Sequence, residues 1–308
     1  MIILQEALRG LFYAPFYAAL SMDAFGQEGV EIRFVSSTEP SRALDGLMDG
    51  SVDVGWGGPM RVNQGYATIP GADFKCFGEV VTRDPFFLLT RAALPPFTPA
   101  ALVDLRLATV SEVPTPWLCL QHDVRLAGLD PSKIVRVADR SMAENAEALL
   151  RGEVDVVQVF QPYAEALVEA GCSVWYAAAD RGPCSYTTFY ARAGVIAWKQ
   201  EELGAMVRAI YRTQMWVHGA PPGAIADAVQ SYFPALPRSR LEAAVGRYQG
   251  LGIWGRTPVL PRTGYERLLA SMVSAGFVDP GTPFEQAVDN SLAEAAVAAN
   301  PAPLRLAK

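Results

Sequence analysis

The chain has 308 residues, of which 51% are apolar and 19% are charged, and its formal net charge is −6 at pH 7. This composition excludes an intrinsically disordered chain and fits a well-buried globular protein that is long enough for two domains. An acidic balance without any run of basic residues argues against nucleic acid as a partner. No apolar stretch reaches the length needed to cross a membrane, so direct membrane insertion is not expected.

Hydrophobic periodicity and turn residues predict alternating strands and helices over the first two thirds of the chain. The predicted strands are 2–8, 30–35, 52–56, 74–81, 85–91, 107–110, 134–137, 154–160, 174–178 and 187–191. A helix from Pro15 to Met22 and another over 117–127 lie between them. Strands that alternate with helices predict parallel sheets. From Lys199 onward the pattern is helical, with stretches around 203–217, 238–251, 265–275 and 284–299, and this tail is expected to pack on the first part of the chain.

One phrase occurs twice: LMDGSVDV at residues 47–54 returns as LLRGEVDV at residues 149–156. Each copy is predicted to end a helix at its glycine, Gly50 or Gly152, and to begin a strand. Ser37 or Thr38 is expected to cap the first helix, and Ser141 with Glu144 matches a capping box for the second. Two equivalent helix–strand units predict two similar α/β lobes with a ligand cleft between them. Alternatively, the phrase is only a helix-to-strand connection of a kind that is common in α/β proteins.

The four cysteines, Cys76, Cys119, Cys172 and Cys184, form no C-x-x-C pair, and the chain has only two histidines. No spacing typical of a zinc site is present, so neither a metal nor a cofactor is predicted. Buried free thiols are favoured. A disulfide between Cys172 and Cys184 stays open for an exported protein.

Seven motifs in the same order resemble those of the NMT1/THI5-like group, relatives of the sulfonate-, nitrate- and pyrimidine-precursor-binding proteins of ABC importers. They are FYAPFYAAL at 12–20, AL at 43–44, GSVD at 50–53, LVDL at 102–105, GEVD at 152–155, YQGLGIW at 248–254 and VDNSL at 288–292. The resemblance covers nearly the whole chain. The sequence departs from the family in two ways. It lacks the export signal that most members carry, and it lacks the cysteine-rich motif of the yeast-type pyrimidine synthases.

The resemblance implies an α/β fold of the two-lobed type II periplasmic-binding-protein class, with a helical C-terminal segment packed on lobe one. Lobe one would comprise residues 1–85 and 187–308, and lobe two residues 86–186. Two strands crossing near 83–89 and 186–191 would form the hinge on which the lobes close. The protein would be periplasmic if a signal was removed, and cytoplasmic if Met1 is the true start.

Ligands of open α/β sheets bind beyond the carboxyl ends of the strands, and this rule selects five loops. In the first loop, Tyr13 and Tyr17 can stack on a planar ligand or bond it through their hydroxyls, or else pack the start of a helix. In the second, Gly57 and Gly58 allow a ligand close to the backbone, and Trp56 offers a stacking face unless it is a core residue. No Gly-Lys-Ser/Thr follows these glycines, so they are not a phosphate loop.

The third loop contains Arg83, whose guanidinium is predicted to clamp an anion or, alternatively, to pair with Asp84. The fourth contains Glu112, which suits a cationic or hydrogen-bond-donating group, together with Thr115 and Trp117 at a helix start. Thr115 can cap that helix, whose N-terminus would attract negative charge.

The fifth loop region contributes Gln161, which ends a buried strand and can bind a ligand or cap a helix. It also contributes Tyr186. Aromatic residues in these loops favour a small planar ligand that is aromatic, heteroaromatic or bears a carboxylate or sulfonate.

The leading hypothesis is therefore a non-catalytic solute-binding protein that hands a small molecule to an ABC permease. An alternative is a cytoplasmic enzyme on the same fold, of the thiamine-pyrimidine, decarboxylase or desulfinase type, with Cys184 as its nucleophile. A ligand sensor that signals lobe closure to a protein partner is a further alternative.

Overall fold

The computed structural model describes residues 1–37 and 39–304, and Thr38, a predicted cap, lies outside this range. Ten strands form two sheets. Their bounds are β1 Ile2–Glu6, β2 Ile32–Ser36, β3 Val54–Gly57, β4 Phe74–Val81, β5 Phe87–Thr90, β6 Arg106–Ala108, β7 Val135–Val137, β8 Val156–Val159, β9 Ser173–Ala177 and β10 Thr187–Arg192.

Helices cover both sheets and make up most of the C-terminal third. Their bounds are α1 Ala14–Ser21, α2 Ala24–Gln27, α3 Asp45–Asp49, α4 Pro59–Thr68, α5 Thr115–Leu126, α6 Met142–Arg151, α7 Tyr163–Glu169, α8 Ala193–Trp198, α9 Gln200–Gly219, α10 Pro222–Val229, α11 Arg238–Leu251, α12 Arg262–Ser274, α13 Phe284–Ala287 and α14 Ser291–Ala298. Short 3₁₀ turns lie at Leu11–Tyr13, Pro40–Arg42, Pro99–Leu102, Pro131–Lys133, Ala178–Arg181 and Gln230–Tyr232. None of the helices in the described ranges is both long and apolar enough to span a bilayer.

The two sheets have equivalent strand orders, β2-β1-β3-β10-β4 and β7-β6-β8-β5-β9. In each sheet one strand is antiparallel to both of its neighbours: β10 in the first sheet and β5 in the second. Each of these is the strand that the chain enters directly after crossing from the other sheet. The fold is thus two-lobed, as the sequence predicts, with parallel sheets apart from one strand in each. We call the two sheets with their packed helices the first and the second lobe.

The chain crosses between the lobes in irregular segments, at residues 82–86 and 182–186, rather than in the two strands predicted there. These segments are held together by backbone bonds, for example from Cys184 N to Thr82 O at 2.9 Å. The Thr82 N–H in turn bonds Ile253 O at 2.8 Å, so that a third strip of chain joins the hinge. The predicted lobe limits at residues 85 and 186 fall in these segments and stay a prediction.

Both copies of the repeated phrase end a helix as predicted. Gly50 follows α3 at φ +78° and Gly152 follows α6 at φ +77°, left-handed conformations that glycine adopts without a steric penalty. The capping box of Ser141 and Glu144 is present at the start of α6. Ser37 does not cap α3, which begins after a 3₁₀ turn; its hydroxyl donates to Glu39 O.

The C-terminal helices pack on the first lobe, with α9 and α14 in contact with each other and with β4. Two of them also reach the second lobe, because α11 contacts α7 and α12 contacts α5. The Tyr248 hydroxyl of α11 donates to Pro85 O at 3.1 Å and accepts from the Gln161 N–H at 2.9 Å. The helical tail therefore also connects the two lobes.

Candidate functional site

A small chamber lies between the lobes at the carboxyl ends of β1, β3 and β6. We call it the inner chamber; it has a volume of about 40 Å³, which is room for roughly three water molecules. Its lining residues are Ala7, Leu8, Phe12, Tyr13, Pro40, Gly58, Met60, Arg61, Phe86, Val113, Thr115 and Tyr186. Phe86, Val113 and Thr115 come from the second lobe and the crossing segment that leads to it, so both lobes build the chamber.

A wider, mostly apolar groove of about 440 Å³ adjoins the inner chamber and shares Leu8 and Pro40 with it. We call it the outer groove. It is bounded by Phe160 and Tyr163 on the second lobe and by residues 232–236 of the C-terminal segment. Chamber and groove together form a cleft with a narrow inner end and an apolar mouth.

Arg61 is the one arginine or lysine that lines the inner chamber in the described part of the chain. It lies in the first turn of α4, is 6% exposed, and donates to Gln64 Oε1 at 2.9 Å. It forms no ion pair with any described carboxylate, and burial lowers the pKa of its guanidinium. A buried cation without a counter-ion is costly. Its position at the chamber wall makes it suited to bind an anion.

Tyr186 lines the same chamber, and its hydroxyl is buried without a hydrogen-bond partner among the described residues. Burial raises the pKa of Tyr186 well above the ordinary value, so the hydroxyl is a protonated donor. Tyr13 is also buried at the chamber wall, with a pKa raised by burial. A buried donor without a partner costs stability, and a ligand oxygen in the chamber would satisfy it.

Two helices begin at the inner chamber. Gly58 is the N-cap of α4, and Thr115 is the first residue of α5. The predicted cap role of Thr115 is wrong, because Pro114 occupies that position and no side chain caps the helix. Helix N-termini carry partial positive charge and favour anions. With Arg61 they give the chamber a positive electrostatic character.

Tyr17 and Trp56 lie in the core of the first lobe instead of facing the chamber. The Tyr17 hydroxyl donates to Glu6 Oε2 at 2.6 Å. The Trp56 ring is fully buried and stacks on Phe16 and Phe34 with centroid distances of 4.5 and 5.0 Å. Both are thus packing residues, the alternative that their sequence context left open.

Gln161 is fully buried and Trp117 is half-buried, and neither lines the inner chamber or the outer groove. The Gln161 side chain donates to Glu165 Oε1 at 3.1 Å and accepts from the Glu165 N–H at 3.0 Å, as a helix cap does. The guanidinium of Arg136 lies over the Trp117 ring, 4.7 Å from its centroid. These contacts place both side chains in the scaffold.

Glu112 and Gly57 lie near the cleft without lining the inner chamber. Glu112 borders the outer groove and accepts a hydrogen bond from Met142 N at 2.9 Å, so it caps α6. Gly57 is needed for close packing, since a Cβ there would lie 3.2 Å from the Tyr190 ring. Of the sequence-predicted site residues, the structure therefore brings Tyr13, Gly58, Thr115 and Tyr186 together.

Arg83 lies in a different cavity, which shares no lining residue with the inner chamber. Its Nη1 donates to Ala179 O at 3.4 Å, and it forms no pair with Asp84, which binds Arg181 instead. Arg61 was not among the site residues predicted from the sequence. The available signal was a cationic residue two positions after the Gly-Gly-Pro sequence that follows a buried strand.

All four cysteines are free and buried. The neighbouring Cys119 thiol and burial together raise the pKa of Cys184 well above its ordinary value. A neutral, enclosed thiol is a poor nucleophile. The predicted alternative of a catalytic Cys184 therefore finds no support in its surroundings.

Comparison with known proteins gives three relevant similarities. The putative binding protein YtlA of Bacillus subtilis is 24% identical over 94% of this chain and 87% of its own length. The periplasmic aliphatic sulphonate-binding protein SsuA of Escherichia coli has the same fold, with a TM-score of 0.74, 17% identity, and 92% and 95% of the two chains covered. So has a variant of the desulfurization enzyme DszB in complex with biphenyl-2-sulfinic acid, with a TM-score of 0.72, 12% identity, and 96% and 99% covered.

The family model described as NMT1/THI5 like matches residues 12–224. This range includes strands β2 to β10 and both crossing segments. It also includes every residue of the inner chamber except Ala7 and Leu8. The chain belongs to the NMT1/THI5-like family.

Proposed function

We propose that this protein is a solute-binding protein that captures a small organic anion in the inner chamber. The observation that carries the proposal is Arg61, a buried guanidinium without a described carboxylate partner, at the wall of a chamber built by both lobes. A carboxylate or sulfonate would supply the missing counter-ion. The Tyr186 hydroxyl and the N-termini of α4 and α5 would complete its coordination.

The shape of the cleft supports a ligand with two chemically different ends. The inner chamber of about 40 Å³ suits an anionic head group, while the apolar outer groove of about 440 Å³ suits a planar aromatic or aliphatic body. Micromolar affinity requires about −8 kcal/mol. One charge-assisted hydrogen bond contributes about 1.5–3 kcal/mol, so burial of the apolar body must supply much of the remainder.

The test is isothermal titration calorimetry with matched pairs of carboxylates and sulfonates that share the same aromatic or alkyl body. We expect one-to-one binding by at least one pair. Arg61→Ala should weaken it by about a hundredfold or more, because the anion would lose its counter-charge in a desolvated site.

Arg33→Ala is the matched control, since Arg33 is an exposed residue of β2 that lines neither the inner chamber nor the outer groove. It should leave the affinity of the cleft within about twofold of the wild type. Equal affinity of wild-type protein and the Arg61→Ala variant for every anion tested would refute the proposed role of Arg61. Equal affinity for the corresponding neutral amides would refute an anionic ligand.

The partner proposed for the loaded protein is the permease of an ABC importer. Support comes from the relatives, since one structural neighbour is described as the ligand-binding component of an ABC-type import system from Staphylococcus aureus, and SsuA of Escherichia coli as periplasmic. We propose the same extracytoplasmic location here. Transport of the identified ligand should fail when the gene is deleted and recover with the wild-type gene, but not with the Arg61→Ala form.

The similarity to DszB supports one alternative, an enzyme on the same fold. Incubation of the protein with its ligand, followed by mass spectrometry of the released small molecule, distinguishes the two functions. Recovery of the ligand unchanged after many hours supports the solute-binding protein. Steady formation of a product in proportion to protein concentration would establish the enzyme.

A further inference from the structure

A second cavity of about 490 Å³ lies behind the hinge, on strips of chain that connect the lobes. We call it the hinge cavity. Thr82 and Arg83 come from the first crossing segment, Pro183 from the second, and Gly252 with residues 254–257 from the third strip of the hinge. A ligand in this cavity would therefore contact all three connections at once.

The charges around the hinge cavity are mainly positive. Arg83 and Arg256 both line it, and neither forms an ion pair with a carboxylate of residues 1–37 or 39–304. His218 lies at the same wall, with Nε2 3.1 Å from Gly255 O. Two guanidinium groups that face one cavity without carboxylate partners can bind the same anion.

Glu79 is the one carboxyl group among the described lining residues of the hinge cavity. It is 1% exposed, and its Oε1 has no hydrogen-bond partner in the described structure. Burial raises its pKa to about 8. The group is therefore largely protonated at pH 7 and, as a neutral acid, does not cancel the charge of the two arginines.

We propose that the hinge cavity is a second binding site, separate from the cleft, that takes a small dianion between Arg83 and Arg256. Either an inorganic dianion such as phosphate or a compact dicarboxylate has the required charge. A bound dianion would link the first crossing segment to the third strip of the hinge. Since opening of the cleft moves these strips relative to each other, occupancy of this site would alter ligand affinity in the cleft.

The protein offers an internal reporter, because His218 lines the hinge cavity. The one other histidine of the sequence, His122 on α5, bonds Ser274 of α12 at 3.0 Å, so its signal reports the packing of these two helices rather than the hinge cavity. The experiment follows both imidazole signals by NMR while sulfate, a permanent dianion, replaces chloride at constant ionic strength. A parallel titration uses succinate. Both are repeated with Arg61→Ala, which removes the proposed anion site of the cleft, so failure of one site is distinguishable from failure of the other.

We expect a saturable shift of the His218 signal that persists in Arg61→Ala. Arg83→Ala and Arg256→Ala should each weaken this binding about tenfold or more, and Arg256→Lys should weaken it less. Arg33→Ala, which removes an exposed arginine of β2, is the matched control and should have no effect. A response to sulfate alone assigns an inorganic dianion, and a response to succinate alone assigns a dicarboxylate.

The proposal is overturned if neither anion gives a saturable shift of His218. It is also overturned if Arg83→Ala leaves the response of His218 unchanged, or if Arg33→Ala reduces that response as much as Arg83→Ala, because the effect would then be general ionic screening.

Discussion

Asp53 and Asp155 occupy equivalent positions in the two lobes. The Asp53 carboxylate accepts from Ile3 N at 2.8 Å, and its own N–H donates to Ile3 O at 3.0 Å. Asp155 repeats this pair of bonds with Arg106, at 2.9 and 3.0 Å. Each aspartate of the repeated phrase thus connects the strand that follows it to the beginning of the neighbouring strand, β1 or β6.

Replacement of Asp155 should make the protein less stable in a pH-dependent way. The Arg106 side chain lowers the pKa of Asp155 to about 2. Because the folded-state pKa lies below the unfolded value, the stabilisation is complete above about pH 4 and is lost as the pH falls toward 2. Asp155→Asn should lower the free energy of unfolding by about 1 kcal/mol at pH 7, since the pair is partly exposed. Denaturant unfolding at pH 7 and pH 2.5 measures this.

The control for this prediction is Asp104→Asn, at an exposed position of the same lobe. A stability difference between wild type and Asp155→Asn that stays constant from pH 7 to pH 2.5 would contradict the ionic origin of the effect.

Arg61 should influence binding and stability in opposite directions. Arg61→Met keeps most of the side-chain volume but removes a buried charge without a carboxylate partner, so we expect the ligand-free protein to gain about 1 kcal/mol. The same variant should lose about a hundredfold in affinity for the anion. Thermal unfolding without ligand and calorimetry with ligand measure the two effects; a destabilised variant with normal affinity would show that Arg61 is a structural residue.

Tyr186 and Tyr17 form a matched pair for separating ligand contacts from packing. Tyr186→Phe removes a hydroxyl that has no partner among the described residues, so stability should be unchanged or rise, while ligand affinity falls about tenfold. Tyr17→Phe removes the bond to Glu6 and should cost about 1–2 kcal/mol of stability without a change in affinity. The reverse pattern would place Tyr17 in the binding site and Tyr186 in the scaffold.

Glu79 should destabilise the protein increasingly between about pH 4.5 and pH 8. Burial raises its folded-state pKa to about 8, so over this range the unfolded chain releases a proton that the folded chain retains. The free energy of unfolding therefore falls as the pH rises toward 8 and then levels off. Glu79→Gln removes this dependence. Its free energy of unfolding relative to the wild type should therefore rise by about 2–4 kcal/mol as the pH increases from 4.5 to 8. Denaturant unfolding across that range is the measurement, with the exposed Glu147→Gln as a control that should show no such gain.

The sequence predicts the fold better than the site, and particular residues show why. Gly50, Gly152 and the Ser141 capping box act within one turn of chain, so local pattern is sufficient to place them. The role of Arg61 depends on which carboxylates come near it after folding, and no local pattern contains that information. Arg83 was predicted to bind an anion because it is a lone arginine in apolar surroundings, but the topology places it behind the hinge.

Aromatic residues illustrate the same difference. Tyr13 and Tyr17 lie one helical turn apart, and only the first reaches the chamber because the second turns inward to Glu6. The antiparallel direction of β5 and β10 also cannot be predicted from local sequence, since strand direction depends on the path by which the chain returns to each sheet.

The contacts of α11 and α12 with the second lobe have a kinetic consequence. A chamber of about 40 Å³ has room for a head group only, so a ligand with a larger body would enter or leave its inner end more easily when the lobes separate. Separation must break the bond between the Tyr248 hydroxyl and Gln161 and disturb the packing of α12 on α5. For a solute bound between the lobes as proposed, the rate of release would therefore depend on how often these helices release the second lobe as well as on the contacts with Arg61.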